Sequence, residues 1–170
     1  MKKLTVLALT AATLLALSGC ATKTQTGALT GAAVDLARKI AADAEGASRV
    51  VTLVVTGAVD DAAARSIGRS VADSVLVRSS FYGADPNWGR IIAALGEVDE
   101  EIDIDDVTVG FAGTTVARGG TGVRFDEDAV VAAMSGDFGV TISVGIGPGT
   151  ARVYTTDLTP EYVLFNGERS

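Results

Sequence analysis

From Arg49 to Thr56 the chain runs Arg-Val-Val-Thr-Leu-Val-Val-Thr, almost continuously apolar and β-branched. That pattern predicts a central buried strand. Before it, Val34, Ala37, Ile40 and Ala41 recur at helical spacing and fade near Ala44, with Gly46 just beyond. Gly57 breaks the strand, and Asp60 is placed to cap a helix whose inner face is Ala63, Ala64, Ile67, Val71 and Ser74. Residues Val75 to Tyr82, rich in β-branched and aromatic side chains, are expected to be extended. Asp85 then reads as an N-cap, with Pro86 at the first helical position and the run Ile91 to Leu95 closed by Gly96.

Further on, Val107 to Phe111 and Thr114 to Arg118 predict a pair of strands, with Gly119-Gly120 turning the chain. Asp126 caps a short helix through Met134, Val140 to Ile146 is a strand, and Gly145 to Gly149 reads as a hairpin turn into Ala151 to Thr156. A last extended piece is expected from Tyr162 to Phe165. Helices and strands alternate early and strands dominate later. The fold class is therefore α/β (α+β), a mixed sheet with packed helices.

Composition narrows the chemistry. Among 170 residues the hydrophobic fraction is 48% with few aromatics, enough for one core built from small side chains. The net charge of −7 argues against a nucleic-acid partner, which requires a basic face. Histidine is absent, which excludes Ser-His-Asp and Cys-His catalysis and His-containing zinc sites. The single cysteine, Cys20, has no partner for an internal disulfide. The acidic stretch from Glu97 to Asp106 lacks the central glycine and closing glutamate of a calcium loop, so it reads as a solvated connection. No metal or cofactor is expected.

The first residues have the order of a secretory signal: basic Lys2-Lys3, apolar Leu4 to Leu17, then small residues. Leu17-Ser18-Gly19-Cys20 resembles the bacterial lipoprotein cleavage box, which would make Cys20 a lipidated residue holding the chain at a membrane. The expected organisation is a signal over 1–19, a lipidated cysteine and tether over 20–32, and a domain over 33–170.

Within that domain the most distinctive string is Asp85-Pro86-Asn87-Trp88-Gly89-Arg90, which holds the only tryptophan. Physical reasoning alone makes Trp88 and Arg90 structural, the arginine tied to a carboxylate or stacked on the indole. With Leu36-Ala37-Arg38, Ala44-Glu45-Gly46-Ala47-Ser48, Gly57-Ala58, Asp61-Ala62-x-Ala64-Arg65, Ser74-x-Leu76-Val77 and Thr156-Asp157-Leu158-Thr159-x-x-Tyr162-Val163, it forms an ordered set. That set resembles the β-chain of the ornithine acetyltransferase family, the glutamate N-acetyltransferases of arginine biosynthesis.

The resemblance implies an enzyme that cuts itself in two. A threonine at the new N-terminus carries acetyl from N-acetylornithine to glutamate. By resemblance Glu45 and Asn166 bind the amino-acid substrate, and Ser170 matches the terminal hydroxyl residue. The ending Asn166-Gly167-Glu168-Arg169-Ser170 is one residue shorter than the family's usual one, and Arg49 stands where lysine is commoner. The threonine nucleophile has no counterpart among the matched motifs.

Two expectations follow. The first is a substrate-pocket fragment, inactive alone, that associates with a complementary first chain or with itself. The second is a lipid-anchored module of the cell envelope, for binding or structure, that reuses the scaffold. The address is the envelope if the leader is used and the cytoplasm if it is not.

Overall fold

The computed structural model describes residues 23–167. Helix α1 (Lys23–Ala42) straddles two units: residues up to Ala37 form one, and Arg38 onward the other. The second unit carries the described strands and the helices that follow α1. Its elements are β1 (Val50–Ala58), α2 (Asp61–Asp73), α3 (Val75–Tyr82), α4 (Trp88–Leu95), a single 3-10 turn (Ile104–Asp106), β2 (Thr108–Phe111), β3 (Thr114–Arg118), β4 (Thr121–Gly122), α5 (Glu127–Ala133), β5 (Phe138–Ser143), β6 (Gly149–Thr156) and α6 (Pro160–Gly167).

The six strands form one sheet in the order β4-β3-β2-β5-β1-β6. β1 runs parallel to β5 and antiparallel to β6, and the other neighbours are antiparallel, so the sheet is mixed as expected. Register explains which face is covered. Leu53 lies beside Val140 and Val153, and Val140 beside Phe111, so apolar side chains form rows across the sheet. Val51, Leu53, Val55, Val109, Phe111, Val140 and Ile142 are fully buried.

Helices α2, α3 and α4 cover that face. Val153 meets α2 at Gly68, where an added Cβ would fall 2.8 Å from a Val153 methyl. Phe81 of α3 packs edge-on against Phe111 and Phe138, with ring centroids 6.4 and 5.5 Å apart. The other face presents Thr52, Val54 and Thr56 from β1 with Thr108, Thr141, Ser143 and Arg152, all half-buried or exposed.

Three expectations are corrected. Val75–Tyr82 is helical: Ser74 caps it, and Val77 and Phe81, four apart, drop onto the core. Tyr162–Phe165 is also helical, within α6. Gly145–Gly149 is no hairpin turn, because β1 lies between β5 and β6. The loop instead wraps the end of β1, where Ile146 and Gly147 donate to the Gly57 carbonyl at 2.6 and 2.8 Å.

The start of α4 also differs. Its cap is Asn87, whose side chain accepts from the Arg90 amide at 3.2 Å, and not Asp85. The Asp85 amide closes the preceding helix, donating to Ser80 while Ala84 donates to Phe81. That pair of bonds is the Schellman closure of α3, with Ala84 at φ +49 in the position glycine usually holds. Asp85 therefore belongs to the end of α3. Its carboxylate accepts from the Asn87 amide group at 2.9 Å. Pro86 is buried between the two helices.

Candidate functional site

Glu45 lies in the connection between α1 and β1. Ala47 donates to the Ala44 carbonyl at 3.1 Å, which makes Ala44-Glu45-Gly46-Ala47 a tight turn. Its third position takes φ +68, a conformation natural only to glycine. Gly46 is needed for a second reason. A Cβ there would fall 2.7 Å from the Tyr162 amide nitrogen, so the turn lies directly against the first turn of α6. Glu45 is exposed at the corner, and its carboxylate has no hydrogen bond or ion pair among the described residues.

The turn is held from below by the end of β6. Asp157 is 2% exposed and accepts from the Ser48 amide at 2.9 Å, the Arg49 amide at 3.3 Å and the Ser48 hydroxyl. Arg49 Nε stands 3.6 Å from the same carboxylate, and its Nη1 donates to the Met134 carbonyl at 2.6 Å. Beneath Asp157, Arg78 of α3 donates to the Thr156 carbonyl and hydroxyl, both at 3.0 Å, and to the Asp157 carbonyl at 3.3 Å. Thr159, also 2% exposed, donates its hydroxyl to the Gly46 carbonyl. The same oxygen accepts from the Tyr162 amide at 3.2 Å, which caps α6 with Pro160 at the first helical position.

Asn166 lies one turn beyond Tyr162 on α6 and donates its amide group to the Tyr162 carbonyl at 2.8 Å. Glu45 and Asn166 are thus carried by two elements that touch through Gly46 and Tyr162. Ser170 and Cys20 lie outside the described residues. The residues Asp85 to Arg90 sit elsewhere, at the α3–α4 junction. There Arg90 donates to the Leu76 carbonyl at 2.7 Å, where a carboxylate or the indole face had been expected as its partner. Trp88 packs against Gly122 and the core edge, a structural role.

The expected site omitted Asp157, Thr159, Ser48, Arg49 and Arg78. Most of them lay inside the quoted motifs, but only folding brings Asp157 to a partner 109 positions away. Among the described residues no acidic or cysteine cluster is arranged to hold a metal. No helix there is long and apolar enough to cross a membrane.

Comparison with known proteins agrees with this geometry. The model of the ArgJ family matches residues 4–170. The chain belongs to the ArgJ family. The arginine biosynthesis bifunctional protein ArgJ of Syntrophotalea carbinolica is 42% identical over 142 residues, covering 82% of this chain and 36% of that protein. The ArgJ protein of Thermobifida fusca is 39% identical over 142 residues, covering 84% and 37%. A crystal structure of ArgJ from Bacillus halodurans superposes with a TM-score of 0.82 at 31% identity, covering 86% of this chain and 71% of that one. The chain thus spans about a third of the length of the curated ArgJ relatives it matches. The ArgJ family match starts at residue 4, upstream of the motifs that begin at Leu36.

Proposed function

We propose that this chain supplies one side of an amino-acid pocket of a glutamate N-acetyltransferase, with Glu45 receiving the ammonium group of ornithine or glutamate. The observation that carries the reading is an unpaired, exposed carboxylate on a turn whose neighbouring groups are all buried or bonded. A carboxylate in that setting is free to form a charge-assisted hydrogen bond with an ammonium group, and because the turn's backbone is already tied, only the Glu45 side chain remains to be ordered. Asn166, on the abutting helix, adds a neutral amide, and Ser170 a hydroxyl.

The resemblance places the acetyl-carrying threonine outside the motifs matched here. We therefore infer that these 170 residues bind amino acids without transferring acetyl on their own. Losing a nucleophile and its electrostatic support removes several orders of magnitude in rate. The test is calorimetric titration of ornithine and of glutamate, paired with an acetyl-transfer assay on the purified chain. Binding heat that disappears in Glu45→Gln, with no turnover, is the expected result. Robust turnover without added protein overturns the inactive-fragment reading, and equal binding by Glu45→Gln overturns the pocket.

The exposed apolar side chains of α6, with Val163 at 59% and Leu164 at 66%, support a partner: a complementary first chain. A second copy of this chain is the other outcome on a sizing column. The envelope-module reading rests on the basic start Lys2-Lys3, the apolar run Leu4 to Leu17 and the box Leu17-Ser18-Gly19-Cys20. Membrane fractionation decides it, since a product with no lipid on Cys20 removes that option.

A further inference from the structure

We propose that Asp157 and Thr159 are positioning residues that fix the Glu45 turn to α6, so that the carboxylate is preset for its ligand. This rests on the reading of Glu45 as the ammonium acceptor and deepens it.

The argument starts from saturation. An ionised carboxylate offers about four acceptor sites. At Asp157 these face the Ser48 amide, the Ser48 hydroxyl, the Arg49 amide and Arg49 Nε. With 2% of its surface exposed, three hydrogen bonds accepted and the Arg49 guanidinium held at ion-pair distance, Asp157 is itself closed to a ligand. Its product is order in residues 48 and 49.

Thr159 acts on the other side. A hydroxyl has one donor and two lone pairs. Here the donor goes to the Gly46 carbonyl and a lone pair takes the Tyr162 amide. One oxygen thereby joins the turn to the helix that carries Asn166. The preceding side of the turn is closed by the end of α1, where Asp43 donates to Lys39 and Ala44 to Ala41. Everything flanking Glu45 is tied, while Glu45 itself is left untied. A surface loop needs no such arrangement for stability alone. A binding group that must not lose its orientation does need it, because ordering a loose turn on binding subtracts from affinity.

The test uses the full chain and three variants: Asp157→Asn, Thr159→Val and Thr159→Ser. Amide hydrogen exchange is measured for residues 45–49 and, as an internal control, for 51–55 of β1. Ornithine affinity is measured by calorimetry. Thr159→Val is expected to speed exchange in 45–49, leave 51–55 protected, and weaken ornithine by about tenfold, the scale of one lost hydrogen bond. Asp157→Asn is expected to do the same, and Thr159→Ser, which keeps the hydroxyl, to restore both readings. If Asp157→Asn does not fold, the threonine pair still decides the matter. Normal ornithine binding by a folded Thr159→Val variant overturns the positioning role while leaving the Glu45 pocket standing. A wild-type chain that binds neither ornithine nor glutamate overturns both.

Discussion

Replacing Gly46 with alanine tests how the turn and α6 are joined. The substitution has two separate effects. At φ +68 an L side chain is strained by about 1–2 kcal/mol. In addition the new Cβ would lie 2.7 Å from the Tyr162 nitrogen and 2.9 Å from its Cα, both backbone atoms. Ordinary contact begins at 3.4 Å, so either α6 or the turn must retreat by about 0.7 Å (3.4 − 2.7). Retreat breaks the bond from Thr159 to the Gly46 carbonyl, a further loss of about 1 kcal/mol. The sum is about 2–3 kcal/mol, well within the 5–15 kcal/mol or so that holds a typical domain, so the variant folds but is weakened. The assay is urea denaturation followed through Trp88, the only tryptophan. Gly136→Ala is the control: that position is free of neighbours within 4 Å and its φ is not positive. Its expected change is neutral to slightly stabilising. If Gly46→Ala unfolds at the same urea concentration as Gly136→Ala, the turn does not rest on α6 as described.

Other substitutions address the surrounding structure by the same measurement. Asn87→Ala should lower stability by about 1 kcal/mol through loss of the α4 cap, and Asp85→Ala by less; the reverse order would restore Asp85 as the cap. Arg78→Lys should lower stability by about 1–2 kcal/mol, because an ammonium cannot reproduce the fork onto Thr156 and Asp157; an unchanged urea midpoint contradicts this. Gly149→Ala should yield no soluble folded protein, since its Cβ would lie 2.1 Å from the Asp60 carbonyl oxygen; recovery of a normally melting variant refutes that packing.

Much of the fold was legible because its elements are marked locally. The run from Val50 to Val55 marks an interior strand, paired on both sides, but only one of its faces is fully buried, since Thr52 and Val54 lie on the less covered side; Asp60 and Asp126 cap helices as their spacing indicates. The misread segments show where composition misleads. Val75–Tyr82 has the residues of a strand, yet the capping Ser74 and the Val77–Phe81 pair were the better guides. Tyr162–Phe165 was likewise introduced by Thr159-Pro160, a helix start that outweighs the β propensity after it. The Gly145–Gly149 connection carried no local sign that β1 would insert between the strands it joins, because strand order is set by long-range pairing. The same limit hid the support of Glu45. Asp157 was visible as part of a motif, but its burial under Ser48 and Arg49 depends on the closed sheet.

The central claim is that Glu45 is a preset acceptor for an amino-acid ammonium group. The most direct measurement is a crystal structure of the chain with ornithine. The account predicts an ornithine nitrogen about 2.7–2.9 Å from a Glu45 carboxylate oxygen, with the turn and α6 arranged as they are here. Ornithine bound at another surface, with the Glu45 carboxylate touching only water, would contradict it.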